Sequence, residues 1–194
     1  MAKIDWNETV FCAIDTETTG VDPEGGDRII EVAVVPIFQG KLILEKAYVT
    51  LINPGEGIQI PANTEKIHGI SNRSIKNAPS MEDVFPTIQR YMRELVPVFH
   101  NGKFDLMFLD YAAKDIGEFP VDPYYIDTQD MSKEIFGTAK TLEWLAKYFS
   151  ITDKINHRAL DDAIVTAQVF IKLSGMIGFE NINEFVKKWN GAPV

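Results

Sequence analysis

Residues Val10–Gly20 read Val-Phe-Cys-Ala-Ile-Asp-Thr-Glu-Thr-Thr-Gly. An unbroken apolar run followed by acids and threonines predicts a buried strand over Val10–Asp15 that runs into a polar turn at Thr16–Gly20. In an extended chain, residues two apart face the same way, so Asp15 and Glu17 project together at the strand's end.

Further along the chain, Val21–Asp27 is a Gly/Pro/Asp loop, and Ile29–Phe38 and Leu42–Leu51 are strand-like runs around Gln39-Gly40, which predicts a hairpin or meander. Ala62–His68 reads as a short helix stopped by Gly69. Ser80 with Asp83 reads as the cap of a helix from Met81 to about Leu95. Val98–His100 and Tyr124–Asp127 are short strands, with a helix from about Phe104 to Ile116 between them. Helices follow near Asp130–Phe136, Leu142–Phe149 with Thr141 as cap, Leu160–Ser174 and Asn183–Trp189. Strands in series, then strands alternating with helices, predict an α/β fold with a mixed central β-sheet flanked by helices.

The length of 194 residues, without repeats or linkers, is most simply one domain over 1–194, with a core of about 10–174 and a C-terminal helix of about 183–189. Such a chain buries about 70% of its extended surface, so it needs no disulfide to hold a core. The single cysteine, Cys12, lies in the apolar run and reads as a small buried side chain. Neither the start Met1–Asn7 nor any apolar stretch suits a targeting or membrane segment, so the expectation is a soluble, cytoplasmic protein without a membrane partner. Its 28 acidic and 19 basic residues leave a net charge of −9. That disfavours a protein coating long nucleic acids, which needs many Lys and Arg, but not an enzyme gripping a few nucleotides.

The acids cluster at predicted strand ends. Asp105 follows a strand and opens a helix; Asp162 lies in the first turns of a late helix, five residues after His157 in the preceding loop. Open α/β sheets bind ligands at the carboxyl ends of their strands. If Asp15, Glu17, Asp105 and Asp162 converge, their repulsion must be relieved by protons or by cations. An all-oxygen cluster suits Mg²⁺ or Mn²⁺ rather than zinc. Two such ions roughly 3.5–4 Å apart serve in-line displacement at phosphorus, and a histidine beside them serves as general base.

Three blocks together resemble the DEDDh superfamily of 3′→5′ exonucleases. They are Asp15-Thr16-Glu17-Thr18-Thr19-Gly20, His100-Asn101-Gly102-Lys103-Phe104-Asp105 and His157-Arg158-Ala159-Leu160-Asp161-Asp162-Ala163. Ile29-Ile30-Glu31, Asn53-Pro54, Ile67-His68-Gly69-Ile70 and Asp127-Thr128 extend the likeness from about Val10 to Leu173. Within the superfamily the chain resembles the proofreading epsilon subunit of bacterial DNA polymerase III and the exonuclease domain of related Gram-positive polymerases. The resemblance implies a ribonuclease H-like fold, two divalent cations and release of nucleoside 5′-monophosphates from 3′ ends. Carried over by position, Asp15, Glu17, Asp105 and Asp162 are the metal-binding acids and His157 the general base. Asp161 is then a helix N-terminal charge.

By the same resemblance, the backbone at Thr18 meets the 3′-hydroxyl, Val21 wedges against the last base, and His68 lines the nucleotide pocket. Val21 is smaller than the usual wedge, and Asn63 stands where some members carry a glutamate. His100 and Asn101 are read as ordering the site, with Asn101 among the substrate contacts; Glu31 is read first as structural, and Lys103 and Arg158, which flank the acids, as solvated charges first and phosphate contacts second. The leading expectation is an exonuclease on 3′ ends of single-stranded or frayed DNA. The alternatives are an exoribonuclease on RNA ends and a proofreading subunit active on a DNA polymerase. Glu17-Thr18-Thr19-Gly20 tilts the choice to DNA, since oligoribonucleases resemble Glu-Met-Thr-Gly there. The chain ends about thirty residues past the third motif, without the epsilon tether, which favours a freestanding enzyme.

Overall fold

The computed structural model describes residues 4–191. The outermost residues of the start 1–7 read above, and residues 192–194, lie outside that range. Strand β1 (Val10–Thr18) sits inside a seven-stranded mixed sheet, with antiparallel β2 (Ile29–Phe38) on one side and parallel β5 (Val96–Phe99) on the other. The path runs β3-β2-β1-β5-β6-β7, and β4 also pairs with β2. Here β3 is Lys41–Leu42, β4 Tyr48–Leu51, β6 Tyr124–Asp127 and β7 Val186–Lys188. The helices are α1 (Ala62–His68), α2 (Asn72–Ile75), α3 (Met81–Glu94), α4 (Gly102–Asp115), α5 (Thr128–Phe136), α6 (Leu142–Tyr148) and α7 (Ala159–Ile177).

The two faces of β1 feed two cores. Phe11 and Ala13 join Ala33, Val35 and Ile37 of β2 against α7, in a cluster that includes Val169, Phe170 and Leu173. Cys12 and Ile14 join Val32 and Val34 against α3 and α4, with Ile88, Leu106 and Leu109. By the same period of two, Asp15, Glu17 and Glu31 lie on the α7 face, while Thr16 lies on the α4 face. Cys12 is fully buried, and loss of hydration pushes its thiol well above the usual range.

The strand Val10–Thr18 outlasts the expected Val10–Asp15, because β2 keeps pairing with it: Glu17 opposes Glu31 and Thr18 opposes Ile29 across a register shift. The run Leu42–Leu51 is broken by a 3₁₀ turn at Leu44–Lys46, so two short strands replace one. The predicted caps hold: Ser80 and Asp83 exchange side-chain-to-backbone bonds, and Thr141 accepts the Trp144 N–H at 3.2 Å.

The C-terminal helix expected over Asn183–Trp189 is absent. A 3₁₀ helix (Phe179–Phe185) leads into β7, which pairs antiparallel with β6. Ile182, Phe185, Val186 and Trp189 do have helical spacing, yet a helix there would leave the β6 edge unpaired. Strand β7 covers that edge, and Trp189 then buries its ring and donates Nε1–H to Asp110 at 2.7 Å. Among the described residues no single helix is long and apolar enough to cross a membrane.

Candidate active site

The acids meet where β1 leaves the cover of α7. One carboxylate oxygen from each of Asp15, Glu17 and Asp162 lies within 4.8 Å of the others. Two come from the strand and one from the first turns of α7. Asp105, in the first turn of α4, reaches the strand from the other face, where Thr16 Oγ1 donates to its Oδ1 at 2.8 Å. The structure therefore gathers three of the four predicted acids on one side of β1. The fourth is held behind them, close enough that its charge acts on Asp15.

The electrostatics follow from crowding. Loss of hydration, then Asp105, Asp162, Glu17 and Glu31, drive the Asp15 carboxyl well above its ordinary range. Burial, then Asp162, Glu31 and Asp105, push Glu17 up to about 8, with Arg158 opposing. Burial raises Asp105 to about 7 against the Thr16 hydrogen bond, and burial with Asp161 raises Asp162 to about 7. Asp162 Oδ1 is buried with no hydrogen-bond partner. An orphaned carboxylate oxygen beside two more, in an all-oxygen donor set, fits a hard divalent cation that would restore the charge balance.

His157 Nδ1 lies 4.0 Å from Asp162 Oδ2, and the ring is about half exposed. The His157 backbone is left-handed, with φ of 50°, a conformation L-residues adopt at a cost and keep where position matters. An open cleft of about 690 Å³ is lined by Asp15, His100, Asn101, Gln129, Thr141, Leu142, Glu143, His157 and Asp162, among others. Thr18, Val21 and His68 lie outside its walls. Val21 stands 77% exposed on the turn after β1, and the buried Thr18 spends its hydroxyl on Gly20 O at 2.5 Å. A Cβ on Gly20 would fall 2.2 Å from Asp27 Oδ2, so a side chain there would displace the Asp27 carboxyl from its bonds with Thr19 Oγ1 and the Asp22 N–H. His68, at the end of α1, is buried; its Nδ1 accepts the Ile70 N–H at 3.0 Å and its Nε2 has no partner. Burial lowers its pKa, and it lies within electrostatic range of Glu31, Arg158 and His157.

His100 and Asn101 are held beside the acids by different means. Thr128 Oγ1 gives its proton to Phe99 O at 3.1 Å, so it accepts at 2.8 Å from His100 Nδ1–H. In the neutral ring that leaves Nε2 bare, and it has no hydrogen-bond partner. Burial agrees, pushing His100 down to about 4. Asn101 takes a left-handed backbone and gives its N–H to Asp127 Oδ1 at 3.1 Å.

Two organising acids carry more than the sequence reading gave them. Asp127 accepts the N–H groups of Asn101, Gly102 and Gln129, and so ties the starts of α4 and α5 together. Glu31 is 2% exposed. It accepts from Arg158 Nε at 3.0 Å, from Arg158 Nη2 at 2.5 Å and from the Ala159 N–H at 3.0 Å. It thereby pins the first turn of α7, the helix of Asp162, to β2, and Arg158 is paired rather than simply solvated. The signal was an acid inside the apolar run Ile29–Phe38, where a buried charge requires a partner.

The pattern that defines the exonuclease family matches residues 12–170. A DNA polymerase III subunit epsilon-like protein of Rhodobacter capsulatus is 34% identical over 177 residues, which are 89% of this chain and 25% of that one. The PolC-type DNA polymerase III of Thermotoga maritima is 33% identical over 186 residues, 94% of this chain and 13% of that one. The DNA polymerase III subunit epsilon of Rickettsia typhi is 31% identical over 169 residues, 84% of this chain and 72% of that one. The chain thus spans a quarter or less of the length of the first two relatives.

Among solved structures, Exonuclease X in complex with 5′ overhanging duplex DNA superposes with a TM-score of 0.67 at 26% identity, covering 87% of this chain and 93% of that one. The nuclease domain of 3′hExo, a DEDDh family member bound to rAMP, shares the fold at a TM-score of 0.76 and 18% identity, covering 93% and 96%. The mixed sheet with helices on both faces is thus the ribonuclease H-like exonuclease fold expected from the element order. By its sequence pattern and its relatives, this chain belongs to the exonuclease family, with the epsilon subunits of DNA polymerase III among its members.

Proposed function

We propose that the chain is one exonuclease domain that hydrolyses the last phosphodiester bond at the 3′ end of single-stranded or frayed DNA. Each turnover releases a nucleoside 5′-monophosphate. Asp15, Glu17, Asp105 and Asp162 hold two divalent cations, Mg²⁺ or Mn²⁺, and His157 is the general base. The observation that carries this reading is the convergence of three carboxylate oxygens within 4.8 Å beside an exposed imidazole. When bound, the cations would polarise the phosphoryl group and offset the developing negative charge.

The chain's own residues do the rest. His157 takes a proton from the attacking water as its oxygen bonds to phosphorus. The bond to the O3′ of the penultimate nucleotide breaks, and O3′ takes a proton from solvent to leave a new 3′-hydroxyl end. Asp162 beside His157 orients the ring and steadies the imidazolium. Thr18 supplies backbone contacts to the terminal 3′-hydroxyl, and exposed Val21 presses on the last base. His68 and Asn101 complete the nucleotide pocket from α1 and α4. DNA is favoured by Glu17-Thr18-Thr19-Gly20, by polymerase III relatives and by the DNA held by Exonuclease X. A DNA polymerase is the proposed protein partner, on the strength of the same relatives.

The test is digestion of 5′-labelled single-stranded DNA and matched RNA, with Mn²⁺ or EDTA, beside Asp15→Asn. A metal-dependent ladder shortening from the 3′ end of DNA, absent in Asp15→Asn, is the expected result. A ladder on RNA alone would move the substrate to RNA. No ladder on either, from folded and metal-loaded protein, would refute the activity of the isolated chain.

A further inference from the structure

Helix α6 presents an aromatic surface that the core does not use. Trp144 and Tyr148 are one turn apart, with rings stacked at 5.0 Å and 12° between planes, and they are 40% and 52% exposed. Phe136 buttresses both edge-on at 5.1 and 5.0 Å, and Phe149 packs edge-on against Tyr148. Phe136 and Phe149 lean on the core, whereas Trp144 and Tyr148 stand outside it. Lys140 Nζ sits 4.9 Å from the centre of the Trp144 ring.

This surface begins where the acid cleft ends. Thr141, Leu142 and Glu143 line the cleft, and Thr141 caps the same helix through the Trp144 N–H. Residues 138–154 carry Lys140, Lys147 and Lys154 against Glu143 and Asp153, a mildly positive stretch in a chain of net charge −9. A flat, rigid aromatic pair with a cation over it is what base stacking and cation–π contact require.

We propose that Trp144 and Tyr148, with Lys140, form a stacking site for a base of the single strand upstream of the 3′ end held in the cleft. The site rests on the exonuclease reading and extends it, because it makes the enzyme grip strands longer than the two nucleotides that chemistry needs.

The test compares Trp144→Ala, Tyr148→Ala and Trp144→Phe with the parent, on an oligothymidylate of about fifteen residues and on a dinucleotide. Truncating a stacking side chain raises KM on the oligomer about tenfold at unchanged kcat, leaves the dinucleotide unaffected, and is reversed in Trp144→Phe. Melting temperature verifies that each variant is folded. Parent-like KM on the oligomer, or an equal loss on the dinucleotide, would overturn the site and leave the aromatic face to a protein partner. A parent that cleaves neither substrate refutes the exonuclease reading instead. The stacking site is then read by fluorescence in Asp15→Asn, since Trp144 is the most exposed of the three tryptophans, Trp6 being half-buried and Trp189 buried. Quenching by the oligomer that disappears with Trp144→Phe supports it, and no quenching overturns it.

Discussion

Glu31→Gln removes one charge and keeps the shape of the side chain that pins α7 to β2. The carboxylate is buried and accepts three bonds, two of them from a guanidinium. A charge-assisted hydrogen bond contributes about 1.5–3 kcal/mol, and breaking a fully buried pair costs about 3–5 kcal/mol. Arg158 is 45% exposed and regains water when released, which places the loss near the lower range, about 2–3 kcal/mol. For a chain of this length each kcal/mol moves the midpoint by about 2–4 °C, so Tm falls by about 5–10 °C. Thermal unfolding followed by circular dichroism reads this, with and without Mg²⁺. Arg158→Met in the same background should add little to Glu31→Gln, because the two share one interaction. A shift below about 1 °C would refute the pin, since three bonds to a buried carboxylate cannot be lost at so small a cost.

His157→Ala leaves the fold and the stabilisation by metal in place while lowering kcat about 10²–10⁴-fold; unchanged turnover would remove the general-base assignment. Millimolar Mg²⁺ or Mn²⁺ raises Tm, because the carboxylate cluster exists only in the folded state, and a Tm indifferent to both would refute a preformed site. In EDTA, the raised carboxyls make stability depend on pH. Glu17 moves from 4.5 to about 8, and Asp105 and Asp162 from 3.8 to about 7. In that window the folded state holds protons that the unfolded state releases. The contribution is therefore full below the unfolded values, falls as pH rises, and is exhausted above the folded ones. Tm in EDTA is accordingly several degrees higher at acid than at alkaline pH, the gap narrowing with Mg²⁺; a flat profile would count against the crowding. Gly102→Ala lowers Tm, because its Cβ would sit 2.6 Å from Phe99 Cβ at the start of α4.

The order of strands and helices was legible because burial leaves a period in the chain. Ile29–Phe38, Ala62–His68 and Tyr124–Asp127 fall where the patterns put them. The end of the chain misled because Ile182, Phe185, Val186 and Trp189 satisfy a helical period while the need came from elsewhere, the bare edge of β6. No local pattern contains that information. The acids were legible as a set because strand alternation and the step from His157 to Asp162 are local. Their arrangement about β1 was not, since it depends on which face each helix docks. The Glu31–Arg158 pair joins residues 127 apart in sequence, so only its unusual setting, a charge inside an apolar run, announced it.

Strand β1 also acts as a partition. Its apolar half divides the two cores, one served by α7 and the other by α3 and α4, while its acidic half is where the two sides meet. Asp162 arrives with one side and Asp105 with the other, so the charge cluster is complete only when both have docked. Each carboxylate added raises the electrostatic cost of the last docking step, which weakens the acid end of the metal-free molecule. Cations bound there would act as rivets across the partition, and amide protons in the first turns of α4 and α7 should gain protection from hydrogen exchange together.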